Sequence, residues 1–173
     1  MNVLESALGI YEATQDANEA DCVIGHSFGT SIDENSVNRA LADFIVTSAN
    51  HRPVVIDEML LNAFQDNTTP VAHTVKGPIS NAVGKGVGTW GTLVEAKCYM
   101  NRQGLERALM IAQAHLIGRI MMQSRKLGIE AIAPPNLPSQ FDLNSDQVWT
   151  RSLALWLPRE LAGSVVLRLQ GKL

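Results

Sequence analysis

Apolar residues recur along this chain in two rhythms, one helical and one of short continuous runs. Val3, Leu4, Ala7, Leu8 and Tyr11 fall at helical spacing and predict an opening amphipathic helix within residues 2–14. A polar stretch then leads into Asp21-Cys22-Val23-Ile24, a short buried strand that ends in a glycine-bracketed turn. Ser31 to Asn35 supply cap residues, and Val37, Ala40, Leu41, Phe44 and Ile45 share one face of a helix over 36–48. Pro53-Val54-Val55-Ile56 is a β-branched run, the second strand, closed by Asp57-Glu58. Residues 59–89 carry the weakest pattern: a short strand over 71–75, a turn at Gly77-Pro78 and a flexible glycine-rich loop over 84–88. A helix over 90–101 is ended by Gly104, and Ala108-Leu109-Met110-Ile111-Ala112 reads as a central parallel strand. A helix over 116–126, a strand over 129–133 cut off by Pro134-Pro135, and a helical region over 145–169 complete the chain. In that last region Pro158 either kinks the helix or opens a second one.

Strand and helix alternate, so the pattern predicts βαβ units. Right-handed crossovers then give an α/β domain: a mostly parallel sheet with helices on both faces. A length of 173 residues suits one domain spanning residues 1–173.

Composition narrows the function classes. The chain is 46% hydrophobic and 18% charged, with a net charge of −3. It has no basic run, which argues against nucleic acid as a partner, because neutralising phosphates needs clustered Lys and Arg. Cys22 and Cys98 read as buried thiols, one in a strand and one in a helix, which fits a reducing compartment and not a disulfide scaffold. No signal peptide or membrane anchor is legible, so the expectation is a soluble cytoplasmic protein whose partner is a small molecule. Homo-oligomerisation is left open.

Three constellations could carry chemistry. Gly25-His26-Ser27-Phe28-Gly29 matches the nucleophile elbow of a serine hydrolase, with Ser27 attacking. It equally matches the first strand-to-helix turn of a Rossmann-like domain, where Gly25, His26, Ser27 and Gly29 would contact a ligand. Context favours the ligand-binding turn. Only about twenty residues precede the motif, and the caps at Asp33-Glu34-Asn35 place the helix start too far downstream for an elbow. Gly86-Val87-Gly88-Thr89-Trp90-Gly91 spells a dinucleotide fingerprint but follows no clear strand, and reads as a loop before a helix N-terminus. The third constellation is Thr92 and Glu95 in the first turn of one helix, with His115 and Arg119 at the start of the next. All four should face the carboxyl edge of the sheet, where Thr92 and Arg119 would bind an anion and Glu95, His115 or Asp57 would supply acid–base chemistry. His26, His51 and His73 show no metal-ligand spacing, so no metal is expected. Trp149, Leu153, Trp156 and Leu157 form an apolar stripe suited to core packing. Arg159-Glu160 either braces the cleft or forms a surface pair.

At these residues the chain resembles the YdcF/SanA-like domain family, bacterial domains whose biochemical role is largely unassigned. Val23-Ile24-Gly25 and Ser36-x-x-Arg39-Ala40 are similar to the family's first strand, turn and helix. Gly91-Thr92-Leu93-Val94-Glu95-Ala96 is similar to its Ser-x-Asn-Thr-x-Glu-Asn/Glu-Ala motif, and Ala112 to Arg119 to a strand end followed by His-x-x-Arg. Phe141-Asp142, Ser145, Gln147, Trp149-Thr150-Arg151-Ser152, Arg159-Glu160 and Leu169-Gln170-Gly171-Lys172 look like its closing helix. The likeness covers about residues 20–173 and is closest from 90 onward. Gly91 stands where the family has Asn, and Val94 where it has its first Glu. Leu116 stands where the family has His, with His115 one residue early and Arg119 in register. In place of the family's Ser-Gly-Gly turn stands Ile56-Asp57-Glu58-Met59.

The resemblance implies a three-layer Rossmann-like fold with a polar cleft at the sheet's carboxyl edge. It also implies a nucleotide-like ligand, for which S-adenosylmethionine is a candidate cofactor. The expected function is binding of a small anionic or nucleotide-like compound, with transfer or hydrolysis the best-fitting reaction if the protein is an enzyme. A serine hydrolase using Ser27 and a non-catalytic binding module are the alternatives.

Overall fold

The computed structural model of the protein describes residues 3–13, 17–34, 36–64, 71–76 and 88–173. Five strands form one all-parallel sheet: β1 (Cys22–Gly25), β2 (Val54–Asp57), β3 (Val71–Val75), β4 (Arg107–Ile111) and β5 (Glu130–Ile132). Their order is β3-β2-β1-β4-β5, so the sheet grows outward in two directions from β1 and β4. Register is set by Ile24 between Val55 and Met110 and by Gly25 between Ile56 and Ile111. The β1, β2 and β4 segments carry almost no polar side chains because both of their faces are covered.

Helices cover both faces of this Rossmann-like α/β sheet. They are α1 (Val3–Ala7), α2 (Val37–Ala49), α3 (Glu58–Leu61), α4 (Gly88–Gln103), α5 (Ala114–Lys126) and α6 (Leu153–Leu169). The α2 helix packs with α3, α4 with α5, and α1 with both α5 and α6. Strand alternation decides which side chain faces which layer. A Cβ on Gly25 would lie 2.7 Å from Ile45 Cδ1, 2.8 Å from Leu60 Cδ2 and 2.9 Å from Ile56 Cγ2. Gly25 therefore sits under α2 and α3, where no side chain fits. Its neighbour His26 continues β1, with its amide donating to Ile111 O at 2.9 Å, and points to the other layer.

The expected elements are present, with four differences. The opening helix covers only Val3–Ala7, because Gly9 turns left-handed at φ +77 and the Ile10 amide bonds back to Glu5 O. A short helix, α3, follows β2 where no element was expected; its N-cap is Asp57. Pro158 lies inside α6 and opens no second helix, while the chain before α6 forms only a 3-10 turn at Val148–Thr150. Cys22 is buried as expected but Cys98 is exposed, because α4 buries Leu93, Ala96 and Met100 on a different face. The Gly77-Pro78 turn and residues 84–87 of the glycine-rich loop lie outside the described residues; Gly88 begins α4. Among the described residues no helix is long and apolar enough to cross a membrane.

The Gly25 packing makes a direct prediction. Gly25→Ala overpacks the core beneath α2 and α3 and should cost about 1–3 kcal/mol in urea unfolding. An unchanged midpoint would show that this layer is loosely packed.

Candidate functional site

The turn after β1 is held by distant parts of the chain. The Ser27 amide donates to Asp57 Oδ2 at 2.8 Å and the Phe28 amide to Asn38 Oδ1 at 2.8 Å. The Thr30 amide donates to Ser145 Oγ at 3.1 Å and the Ser31 amide to Asp142 Oδ2 at 3.2 Å. Amides that the sequence offers to a ligand are thus already engaged within the protein. Gly29 adopts φ +78, and a Cβ there would lie 2.8 Å from Ser145 Oγ and 2.9 Å from Thr150 Oγ1. Its smallness lets residues 142–150 close onto the turn. Phe28 completes the contact, with its ring centroid 5.8 Å from Phe141 and 5.0 Å from Trp156.

Ser27 and Asp57 form one unit at the ends of β1 and β2. The Ser27 hydroxyl donates to Asp57 Oδ2 at 3.0 Å, while Asp57 Oδ1 accepts from the Leu60 amide at 2.9 Å and caps α3. Burial pushes the Asp57 carboxyl up, and the donors from Ser27, Leu60 and Met59 oppose this. A hydrolase serine needs a base to take its proton, ordinarily an imidazole. Here the hydroxyl faces a carboxylate that is already accepting two amides.

A second polar group lies on the α4 and α5 side of the same edge. Arg119, in the second turn of α5, donates from Nη1 to Glu160 Oε2 of α6 at 2.8 Å and from Nη2 to Thr89 Oγ1 at 3.4 Å. Glu160 is 1% exposed, and burial raises its pKa against the pull of Arg119 and Arg159. The Arg119 guanidinium also lies 5.7 Å from the Trp156 ring centroid. Arg159 stacks at 4.5 Å over Trp149 and stays partly exposed, so it adds positive charge at the rim. His26 faces this group. Burial first, and the Arg119 charge second, push its pKa down to about 3, so the ring is neutral at physiological pH. His26 Nε2, Arg119 Nε and Trp156 Nε1 are buried with no hydrogen-bond partner among the described residues.

The remaining expected residues are placed elsewhere or used locally. Thr92 is buried in the second turn of α4, not the first, and its hydroxyl donates to Gly88 O at 3.2 Å. Glu95 is exposed on α4. His115 stacks on Phe141 at 5.0 Å beside Gly9, and burial lowers its pKa while the backbone of Ala7 and Leu8 opposes. Its amide is capped by Gln113 Oε1 at 2.7 Å. Among the described residues no group of His, Cys, Asp and Glu could hold a metal ion.

Asn38, Asp142, Ser145 and Thr150 were absent from the candidate site residues. The last three stood in the sequence only as part of the tail motif of the resemblance, without a role at the site. Glu160, one of two readings left open above, braces Arg119.

Two predictions follow from this geometry. Asp57→Ala leaves three donors without an acceptor and removes a cap, at a cost of about 2–4 kcal/mol; Asp57→Asn should cost less. Equal losses in denaturant melts would contradict the cap assignment. The second concerns pH. Unfolded His26 takes up a proton near pH 6.5 and the folded ring resists to about 3, so its stabilising effect is complete above 6.5 and is lost as pH falls through that window. His26 alone should contribute a slope of up to about 1.4 kcal/mol per pH unit there. Comparing unfolding free energies of the wild type and His26→Phe isolates this contribution; identical slopes would refute a buried neutral imidazole.

Compared with family models, curated proteins and solved structures, the chain finds no match. Its likeness to the YdcF/SanA-like family therefore rests on the motif residues alone.

Proposed function

We propose that the protein binds a small anionic or nucleotide-like ligand at the carboxyl edge of its sheet, on the α4 and α5 side, with S-adenosylmethionine as a candidate. The observation that carries this reading is the buried, unpartnered Nε2 of His26 beside Arg119. It lies where β1 and β4 meet and the strand order reverses, the place where open parallel sheets hold their ligands. A buried polar atom with no partner costs on the order of 1–3 kcal/mol, a cost that a ligand atom would remove.

In this reading His26 and Arg119 contact the ligand. Glu160 holds the Arg119 side chain in place, and Arg159 attracts negative charge at the rim. Gly25, Ser27 and Gly29 are engaged on the α2 and α3 side and against residues 142–150, so they shape the turn, and Thr92 is held within α4. If binding leads to turnover, transfer or hydrolysis fits best, with Asp57 an acid–base candidate at the β2 end although Ser27 and the α3 cap engage it. Glu95 and His115 are the other candidates. Ser27 as a nucleophile is the weaker reading, because its hydroxyl is bound to Asp57.

The test is a thermal-shift and calorimetric panel of S-adenosylmethionine, nucleotides and sugar phosphates. Ligand at about 100 times its dissociation constant adds roughly 2.7 kcal/mol and should raise Tm by about 5–10 °C. Arg119→Lys keeps a cation for Glu160 but loses the planar fork, and should weaken binding at least about 10-fold, as should His26→Phe. A flat panel, or binding indifferent to both substitutions, would overturn the reading.

A further inference from the structure

The α6 helix buries one face in the protein and leaves an apolar face opposite it. Trp156, Glu160 and Ser164 turn inward and are buried. On the far side Leu155, Pro158, Ala162, Val165 and Leu169 follow one another at spacings of three and four, the a/d seam of a coiled coil. This seam faces water: Leu155 is 46% exposed, Val165 59% and Leu169 84%, with Val166 at 51% alongside. No charge interrupts it. Arg159 and Arg168 flank it, and the helix's acid, Glu160, lies on the buried face. A helix apolar all round is ordinarily buried all round.

We propose that this seam is a dimer interface, in which two copies of the chain cross antiparallel about Ala162. The seam is self-complementary about that residue. Leu155 and Leu169 lie seven positions to either side, so each meets the other's counterpart in the second copy, while Ala162 meets itself. A small residue at the centre lets the backbones approach. Charge is compatible as well: Arg159 is three residues from the centre, so its two copies stand about 9 Å apart along the axis at about 1.5 Å per residue. Salt screens that separation. The seam and its neighbours Leu161 and Val166 leave on the order of 500 Å² of mainly apolar surface in water, within the range of a monomer's largest patch. Two copies would cover about 1,000 Å², the size a biological interface has to clear. This inference does not depend on the ligand proposed above.

The test is sedimentation equilibrium of the full chain with two variants. The wild type should dimerise at micromolar concentration, and Val165→Lys, which sets a second cation level with Arg159 of the other copy, should weaken the dimer at least about 100-fold while leaving the circular-dichroism melt of the monomer in place. Ala162→Cys, in a Cys98→Ser background because Cys98 is exposed, should form a disulfide-linked dimer on oxidation. A wild type that stays monomeric to about 100 µM would overturn the proposal, also when it floats with anionic vesicles instead. So would a dimer that survives Val165→Lys, or one that Ala162→Cys fails to cross-link.

Discussion

The pairing of Arg119 with Glu160 is the constraint on which the carboxyl edge depends. Neither charge could stay buried alone, since removing one partner of such a pair ordinarily costs several kcal/mol. Forty-one positions separate the two, so satisfying the pair draws α6 across the mouth of the sheet against α5. Trp156 follows onto Phe28, and residues 142–150 are then held near enough for Asp142 and Ser145 to accept the Ser31 and Thr30 amides. The chain thereby uses the amides of the turn after β1 within itself. Among the described residues, buried polar atoms without a partner include His26 Nε2, Arg119 Nε and Trp156 Nε1, and Arg39 Nε on α2.

The two sides of β1 are thus specialised by one step of strand alternation. Gly25 faces α2 and α3, where packing admits no side chain, and the turn beyond it is tied to Asp57, Asn38, Ser145 and Asp142. His26 faces the opposite layer, where burial first and the Arg119 charge second keep it neutral. Rigidity on one side and unmet polar groups on the other are what a preorganised binding edge requires.

The strands were legible because each is a short β-branched or apolar run stopped by Gly, Pro or charge, as in Val54–Asp57 and Arg107–Ile111. The α2 helix was legible from its apolar face, although its cap is Ser36 and none of Ser31 to Asn35. Four-residue α3 was not, since a single turn is too short to show a period and its cap, Asp57, also reads as a strand end. The opening helix was overextended because Tyr11 keeps the helical spacing, although Gly9 stops the helix and the Tyr11 hydroxyl is drawn to Pro134 O. At the site, His26, Arg119 and Asp57 stood among the candidates by residue type and position. So did Ser27, the partner of Asp57, and Glu160, the partner of Arg119. The partners of the turn did not, because Ser145 lies 115 residues from Thr30 and Asp142 lies 111 from Ser31, separations at which local pattern carries no information.

The most direct test of the binding edge is long-range 15N–1H NMR of the His26 ring during titration with S-adenosylmethionine and nucleotides. The free protein should show a neutral imidazole whose Nε2 resonance does not titrate at neutral pH. A bound ligand should move that resonance by supplying the missing partner. Saturable binding that leaves the His26 nitrogens unmoved would place the ligand elsewhere and contradict the account.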